Sequence, residues 1–512
     1  MSPSHHLEDA LGIEDPVSLQ PPDVVDWKGP EDDANPMNWT ATKKAITVGM
    51  VSTFNFLTPL GSAMFAPGVE QVMTEFHSTS KPISSFVVSV YLLGFAFGPL
   101  VVAPLSELYG RLPIYHACNI LFIVSNVACA LSLSLSSLIG FRFLAGSVGS
   151  APLALGAGTI ADVITPDHRG LAIAVWAVGP VIGPVVGPYV RHAPIFHTWA
   201  LIVICLNIKA DLAFFFQGLW WVFDPRSVLA LGFLGNRDCG VVTGIFLLTL
   251  RETYAPILLA RRTKRLRRET GNIKLYSALH REMTPLNLFT RSIIRPLKLL
   301  VFSPIVSLLS LYVAVVYGFL YLLFTTMSQV YRNQYHFSAG MVGLTYIGLG
   351  LGSIIGLLVT GRFSDHISYR LAARAKGERK PEYLLALMIP LCLCMPIGLF
   401  WYSWSAEKKV HWIIPIIGTG WIGIGVVASF TAIQTYLVEA FTSEAASAAA
   451  ANTVLRSLVG AVLPLAGPSM YSALGLGWGN SLLAFIALAM LPLPFLFFKY
   501  GERLRTKYPI TS

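Results

Sequence analysis

Two arginines stand at depths where a charge is costly. Arg142 lies a little inside one end of a long apolar run, and Arg456 near the middle of another. A charged side chain there is unfavourable by a few kcal/mol unless it is paired, wet or engaged by a ligand. Arginine near a run's end can extend its head to the interface; from mid-run it cannot. The guanidinium offers a planar fork of donors that matches carboxylate and carbonyl oxygens, so the chemistry available is recognition of oxygen-rich organic molecules. Asn55, Tyr91, Trp176, Tyr317, Tyr321, Gln434 and Asn452 fall inside apolar runs too. Each is a candidate for lining the same cavity, and each could equally serve as glue between helices. No Asp or Glu falls near the middle of a well-defined run. A polycation would therefore meet no counter-charge, which favours neutral, amphipathic or acidic compounds, and no central carboxylate is there to carry a proton.

Acidic residues gather instead at run ends, and they repeat. Ser106-Glu107-Leu108-Tyr109-Gly110-Arg111 follows the second run and Ser364-Asp365-His366-Ile367-Ser368-Tyr369-Arg370 the eighth. The fourth run ends in Asp162, with Asp167 five residues on; the tenth ends in Glu439, with Glu444 five residues on. Glu107, Gly110, Arg111, Asp162, Arg169, Asp365, Arg370 and Glu439 are expected to build a charged latch at one membrane surface. Gly179-Pro180, Gly183-Pro184 and Gly187-Pro188 add a period of four in the fifth run. Glycines at that spacing allow close helix contact, and the prolines bend the helix. The expectation is either a tight packing seam or a kinked gating helix.

The elements that must position these residues are helices. The chain is 54% hydrophobic and 12% charged over 512 residues, with a mean hydropathy of +0.62, outside the range of soluble domains. Apolar runs near 45–67, 83–106, 113–135, 138–161, 170–190, a disturbed stretch within 195–250, 300–326, 341–361, 383–404, 411–438, 446–470 and 479–498 match the roughly 20 residues a membrane helix needs. They far exceed transmembrane strands. Two six-span units with repeated acidic ends are how a rocking secondary transporter is built. The sequence predicts an all-α membrane protein divided as follows: a disordered, proline-bearing tail (1–44), an N-terminal six-helix half (45–250), a basic central loop (251–299), a C-terminal half (300–498) and a short tail (499–512). No signal peptide is expected at the start.

The net charge of +10 is placed for topology rather than for nucleic acid. Residues 251–298 hold twelve Lys/Arg against three Glu, including Arg261-Arg262-Thr263-Lys264-Arg265-Leu266-Arg267-Arg268, whereas connections near 68–82, 327–340 and 471–478 hold few. Positive charge resists translocation, so both termini and the central loop are expected in the cytoplasm. The basic stretch is also a candidate contact for anionic lipid headgroups. The one glycosylation sequon, Asn38-Trp39-Thr40, then lies on the unglycosylated side. The six cysteines lie mostly in apolar segments, and Cys392 and Cys394 diverge on a helix, so neither a disulfide framework nor a metal site is expected. No Gly-Lys dipeptide exists from which to assemble a phosphate-binding loop, and the eleven histidines are scattered. An ATP-driven pump, an enzyme and a cofactor are therefore not expected.

The chain resembles a fungal member of the major facilitator superfamily, in the twelve-span drug:proton antiporter group that includes polyamine exporters. The Gly-Pro run is similar to that group's antiporter motif. Ala103-Pro-Leu-Ser-Glu107-Leu-Tyr-Gly110-Arg111 is similar to the superfamily's loop after span two, and Arg142-Phe-Leu-Ala-Gly146 to its fourth-span motif. Asn35-Pro36-Met37-Asn38-Trp39, Pro59-Leu-Gly-Ser-Ala-Met-Phe-Ala-Pro67, Arg251-Glu-Thr-Tyr-Ala-Pro256 and Lys380-Pro-Glu-Tyr383 resemble signatures of the fungal branch. Three departures stand out. Leu112 replaces a second arginine after Arg111, and Leu384 an arginine after Pro-Glu-Tyr. Residues 191–216 and 231–239 interrupt the sixth span in the manner of retained intron sequence.

The resemblance implies two pseudo-symmetric six-helix halves, and export of a small organic compound, a fungal secondary metabolite or drug, coupled to proton entry by alternating access. Arg142 and Arg456 would be the contacts to substrate or coupling ion. The protein would act as a monomer in the plasma membrane, with lipids but no nucleic acid as partners. A polyamine/proton antiporter is the alternative, and a non-transporting product of the interrupted sixth span is the second.

Overall fold

A computed structural model describes residues 23–29, 31–63 and 65–165, scattered positions between 169 and 183, and residues 249–279, 285–375, 380–441 and 445–507. In chain order the described helices are α1 (Ala41–Ala63), α2 (Val69–Glu75), α3 (Lys81–Tyr109), α4 (Arg111–Ala130), α5 (Leu135–Gly149), α6 (Ala151–Val163), α7 (Ala255–Thr270), α8 (Pro285–Phe302), α9 (Pro304–Tyr335), α10 (Ala339–Thr345), α11 (Ile347–Arg374), α12 (Met388–Cys392), α13 (Cys394–Glu407), α14 (Ile413–Ala440), α15 (Ala445–Met490) and α16 (Pro492–Lys507).

Eight segments among the described residues are long and apolar enough to cross a membrane. The last, Ser447–Thr506, runs for 60 residues, about 90 Å at 1.5 Å per residue, which is too long for one crossing. It is divided at Gly475, whose φ of 73° belongs to the left-handed region that glycine tolerates. The Glu407 carboxylate accepts from Leu476 N and Gly477 N, each at 3.1 Å, and so caps the returning helix. Counting that segment twice and adding α1, which is 23 residues long, accounts for ten crossings. The expected fifth and sixth spans fall in 164–250, where few residues are described. Both interruptions of span six, and Asp167, Pro184, Gly187, Pro188 and Glu444, lie outside the described residues.

Equivalent seams hold each half together. In the N-terminal half α3 packs on α5, and in the C-terminal half α11 packs on α14. A Cβ on Gly94 would meet the backbone of Ser147 and Phe143, and one on Gly352 would meet the backbone of Gly420. Small residues at matching crossings let backbones touch where no hydrophobic drive from water operates. The halves meet mainly where α15 lies along α3. Large apolar side chains such as Phe97, Val124, Leu358 and Phe485 are exposed on outward faces, as expected of surfaces solvated by lipid.

Residues 23–44 depart from the expected disordered tail. Val24–Val25 pairs in parallel with Tyr276–Ser277 of the central loop, and Asp32 bonds Arg262 on α7 at 2.8 Å. Acidic residues of the N-terminal segment find the excess positive charge of the central loop. Composition alone gave no view of that pairing.

Candidate functional site

The two buried arginines are provisioned in opposite ways. Ser134 opens α5 with a capping box to Ser137, which sets Arg142 on the face toward α1 and α3. Its Nε donates to Val87 O at 2.7 Å, and its Nη2 to Ser62 O at 3.2 Å and Val88 O at 3.5 Å. Its guanidinium also lies over the rings of Phe65 and Tyr91, at 4.5 and 5.6 Å. Arg142 thus ties three spans of one half together.

Arg456 is 2% exposed, yet among the described residues it makes no ion pair or hydrogen bond, and its Nε is buried without a partner. It sits over the rings of Tyr317, from α9, and Phe430, from α14, at 4.7 and 4.8 Å. One turn back on α15, Asn452 Nδ2 donates to Gln434 Oε1 at 2.9 Å, leaving its own Oδ1 buried and unpartnered. Spacing explains the constellation. Phe430/Gln434 and Asn452/Arg456 are both i, i+4 pairs, so each shares one helix face. Gly460, a further turn along, lies against Tyr317 and against Leu92 of the other half, which puts the cluster beside the interface between the halves.

Tyr321 bridges the arginines. Its ring is 5.0 Å from that of Tyr317, and its hydroxyl shares a 2.7 Å hydrogen bond with Ser62 Oγ across the interface. Ser62 Oγ donates to Pro59 O at 2.6 Å, so the tyrosine is the donor. Farther toward the end of the bundle away from the basic loops, Glu70 on α2 pairs with Arg332 on α9 at 2.7 Å. Both halves therefore contribute to two polar contacts at that end.

The remaining candidates act within halves. Asn55 Nδ2 donates to Trp176 O at 2.9 Å, Trp176 Nε1 to Pro152 O at 3.2 Å, and Tyr91 OH to Thr58 O at 2.9 Å. All three join helices of the N-terminal half. Gly179 and Gly183 lie directly on the α1 backbone at Asn55, Phe56 and Leu60, as a packing seam requires; Pro180 is helical beside them.

At the basic-loop end, Arg111 Nε meets Asp162 Oδ2 at 3.3 Å and Arg111 Nη1 donates to Ser106 Oγ at 2.8 Å. Arg169 Nη2 donates to Ala161 O and Ile164 O at 3.0 and 3.3 Å, capping α6. The sequence reading passed over Glu252. Its carboxylate accepts from the backbone N–H of Arg111 (2.9 Å), Leu112 (3.3 Å), Thr253 (3.1 Å) and Tyr254 (3.0 Å), at the turn where Gly110 has φ 102°. An acid at a helix N-terminus satisfies orphan donors and complements the dipole. The signal was present in Arg251-Glu252-Thr253-Tyr254, beside the loop it caps.

In the C-terminal half the corresponding network is built differently. Asp365 and Arg370 are exposed on α11, and Glu439 is half-buried at the end of α14, as Glu107 is at the end of α3 in the other half. The buried acid is Glu382, 3.6 Å from Arg505, with Lys380 paired to Glu502 at 2.6 Å. Outside the membrane, the Glu502 carboxylate holds the Lys380 ammonium above its ordinary pKa.

A twelve-span pattern, matching glycine seams and buried charge at the junction of two halves are the marks of one transporter architecture. The sequence profile of the Major Facilitator Superfamily matches residues 51–464. The chain belongs to the major facilitator superfamily. Among similar superfamily members, the MFS-type transporter penM of Penicillium rubens is 52% identical over 96% of this chain and 92% of its own length. The efflux pump radE of Floropilus chiversii is 47% identical over 95% and 85%. Of solved structures, the xylose transporter XylE of E. coli, in a partially occluded inward-open conformation, aligns with a TM-score of 0.62 at 15% identity, covering 90% of this chain and 98% of that one. A bacterial homologue of the human lysosomal transporter Spinster aligns at 0.59 and 14%, covering 92% and 100%. These likenesses bear out the all-α superfamily fold and a transporter rather than an enzyme.

Proposed function

We propose that this protein exports a small organic compound, a fungal secondary metabolite or drug, from the cytoplasm by proton-coupled alternating access. Similarity to the efflux pump radE supports the direction. The observation that carries the mechanism is the pair of cross-half contacts, Ser62–Tyr321 and Glu70–Arg332. Each is a single polar contact between side chains of opposite halves, of the kind that can break and re-form as the halves rock. On this reading they close the outer gate, and the basic loops and both termini face the cytoplasm of a plasma-membrane monomer. Arg142 acts as the tie that transmits helix movement within its half, and Arg456 faces the compound. Arg111 and Asp162, with Glu252, form the cytoplasmic latch.

A cysteine pair tests this. In cells carrying Glu70→Cys with Arg332→Cys, oxidation should stop efflux of the native compound and reduction should restore it. Undiminished efflux after complete cross-linking would contradict the gate. Collapse of the proton gradient should stop efflux in the unmodified protein; persistence would remove proton coupling from the reading. The polyamine alternative is disfavoured because Glu70, Asp162, Glu382 and Glu407 lie within a turn of a helix end and, among the described residues, no carboxylate pairs with Arg456.

A further inference from the structure

We propose that the cluster around Arg456 binds an acidic oxygen group of the transported compound, a carboxylate or an enolised 1,3-dicarbonyl, carried next to a hydroxyl. This rests on the export reading for the cluster's place in the transport cycle, but the chemistry is read from the side chains. Three observations converge on it.

The first is an unpaired cation. Arg456 is as buried as Arg142, but Arg142 has three backbone acceptors and Arg456 has none among the described residues. An isolated buried charge is unfavourable, so an anion able to accept two parallel N–H bonds is what the site lacks. The second is the pair of rings. Tyr317 and Phe430 stand at 4.7 and 4.8 Å from the guanidinium carbon, so cation–π contacts hold its position. The rings make contact through their π faces, and leave the nitrogen donors unused among the described residues. The third is the orphan acceptor. Asn452 Oδ1 is buried without a partner one turn from Arg456, while the same amide's nitrogen is committed to Gln434. A hydroxyl beside the acid would donate to that oxygen, meeting the usual requirement that a buried polar atom be paired.

A polyamine would bring positive charge to an unneutralised guanidinium. A neutral hydrocarbon-like drug would satisfy neither Arg456 Nε nor Asn452 Oδ1.

The test uses the full-length protein in lipid vesicles with 2-hydroxybenzoate, 2-hydroxybenzamide and spermine as probes. Equilibrium binding of labelled 2-hydroxybenzoate should be at least tenfold tighter than that of the amide, and excess spermine should not displace it. Arg456→Lys should weaken acid binding at least tenfold despite keeping the charge, because an ammonium cannot reproduce the fork. Gln434→Glu places a carboxylate on the half-buried neighbour while Asn452 can still donate to it. That variant should lose the acid and gain spermine, and it keeps the question open to disproof if Arg456→Lys fails to fold. Equal affinity for acid and amide, an acid affinity unchanged in both variants, or no acid binding would each overturn the proposal. Gradient-driven uptake into the same vesicles separates the two readings. Acid that binds but does not move removes the export reading and leaves the site. Transport of spermine or the amide without discrimination leaves a transporter and removes the site.

Discussion

Arg142 and Arg456 are both buried, one in each half, and what surrounds them differs completely. Arg142 meets backbone carbonyls of α1 and α3 because Gly94 and Gly146 bring α3 and α5 close enough for the side chain to reach them. Among the described residues, the polar groups of Arg456 find no acceptor, and its guanidinium lies over the rings of Tyr317 and Phe430. A buried charge with acceptors is architecture; one without them is an unfinished interaction, awaiting a partner. Pseudo-symmetric halves thus need not share roles residue by residue. Helix-end carboxylates follow the same pattern: Glu252 accepts four backbone donors, while Lys380–Glu502 in the other half is an exposed pair.

The largest effect should come from substituting the two arginines alike. Arg142→Met removes the charged donor to the carbonyls of Ser62, Val87 and Val88, at about 1.5–3 kcal/mol for a hydrogen bond to a charged group. Thermal unfolding of purified protein should show a marked loss of stability and a lower membrane level. Arg456→Met removes two cation–π contacts, roughly 0.5–2 kcal/mol each, but also an unpaired buried charge whose desolvation is several kcal/mol. Stability should be unchanged or raised while efflux falls at least tenfold. Equal destabilisation by both substitutions would erase the contrast.

A smaller effect should distinguish the loop-end networks. Glu252→Gln turns an amide NH2 toward backbone donors and should lower stability by about 1–3 kcal/mol. Lys380→Ala breaks only an exposed pair, worth ~0.2–1 kcal/mol. Within the first network, Asp162→Asn and Arg111→Ala should reduce efflux less than additively, because they remove one shared contact. Simple additivity would separate them.

The smallest effect concerns the docked N-terminal segment. Hydrogen bonds from the Lys28 and Ala34 backbone, and then from Arg262, hold the Asp32 carboxyl at about 2, below its ordinary 3.8. A depressed carboxyl pKa contributes stability that is complete above the unfolded value and is lost as pH falls through the folded one. Protease protection of residues 23–40 should therefore be flat from pH 5 to 8 and decline only between about 4 and 2. Asp32→Asn should lower protection throughout the flat range, and a transition near neutrality would assign the docking to another group.

Apolar run lengths marked the ten spans the described residues contain, because the bilayer's thickness sets a span length that local composition satisfies unaided. Motif spacing also located the charges: Arg111 and Asp162 were legible as a pair from position alone, and the observed 3.3 Å contact needed only helix ends at one surface. Sequence could not tell which buried group finds a partner. Asn55, Tyr91 and Trp176 could by sequence line a cavity or join helices, and they bond neighbouring helices, since a side chain's orientation depends on how helices rotate against one another. Glu252 was visible in its motif, but its task depends on Gly110 bringing a turn within reach from across the half. The distinction between Arg142 and Arg456 belongs wholly to the tertiary structure: run position placed both charges in the membrane, and only packing decided which one kept its hydrogen bonds free.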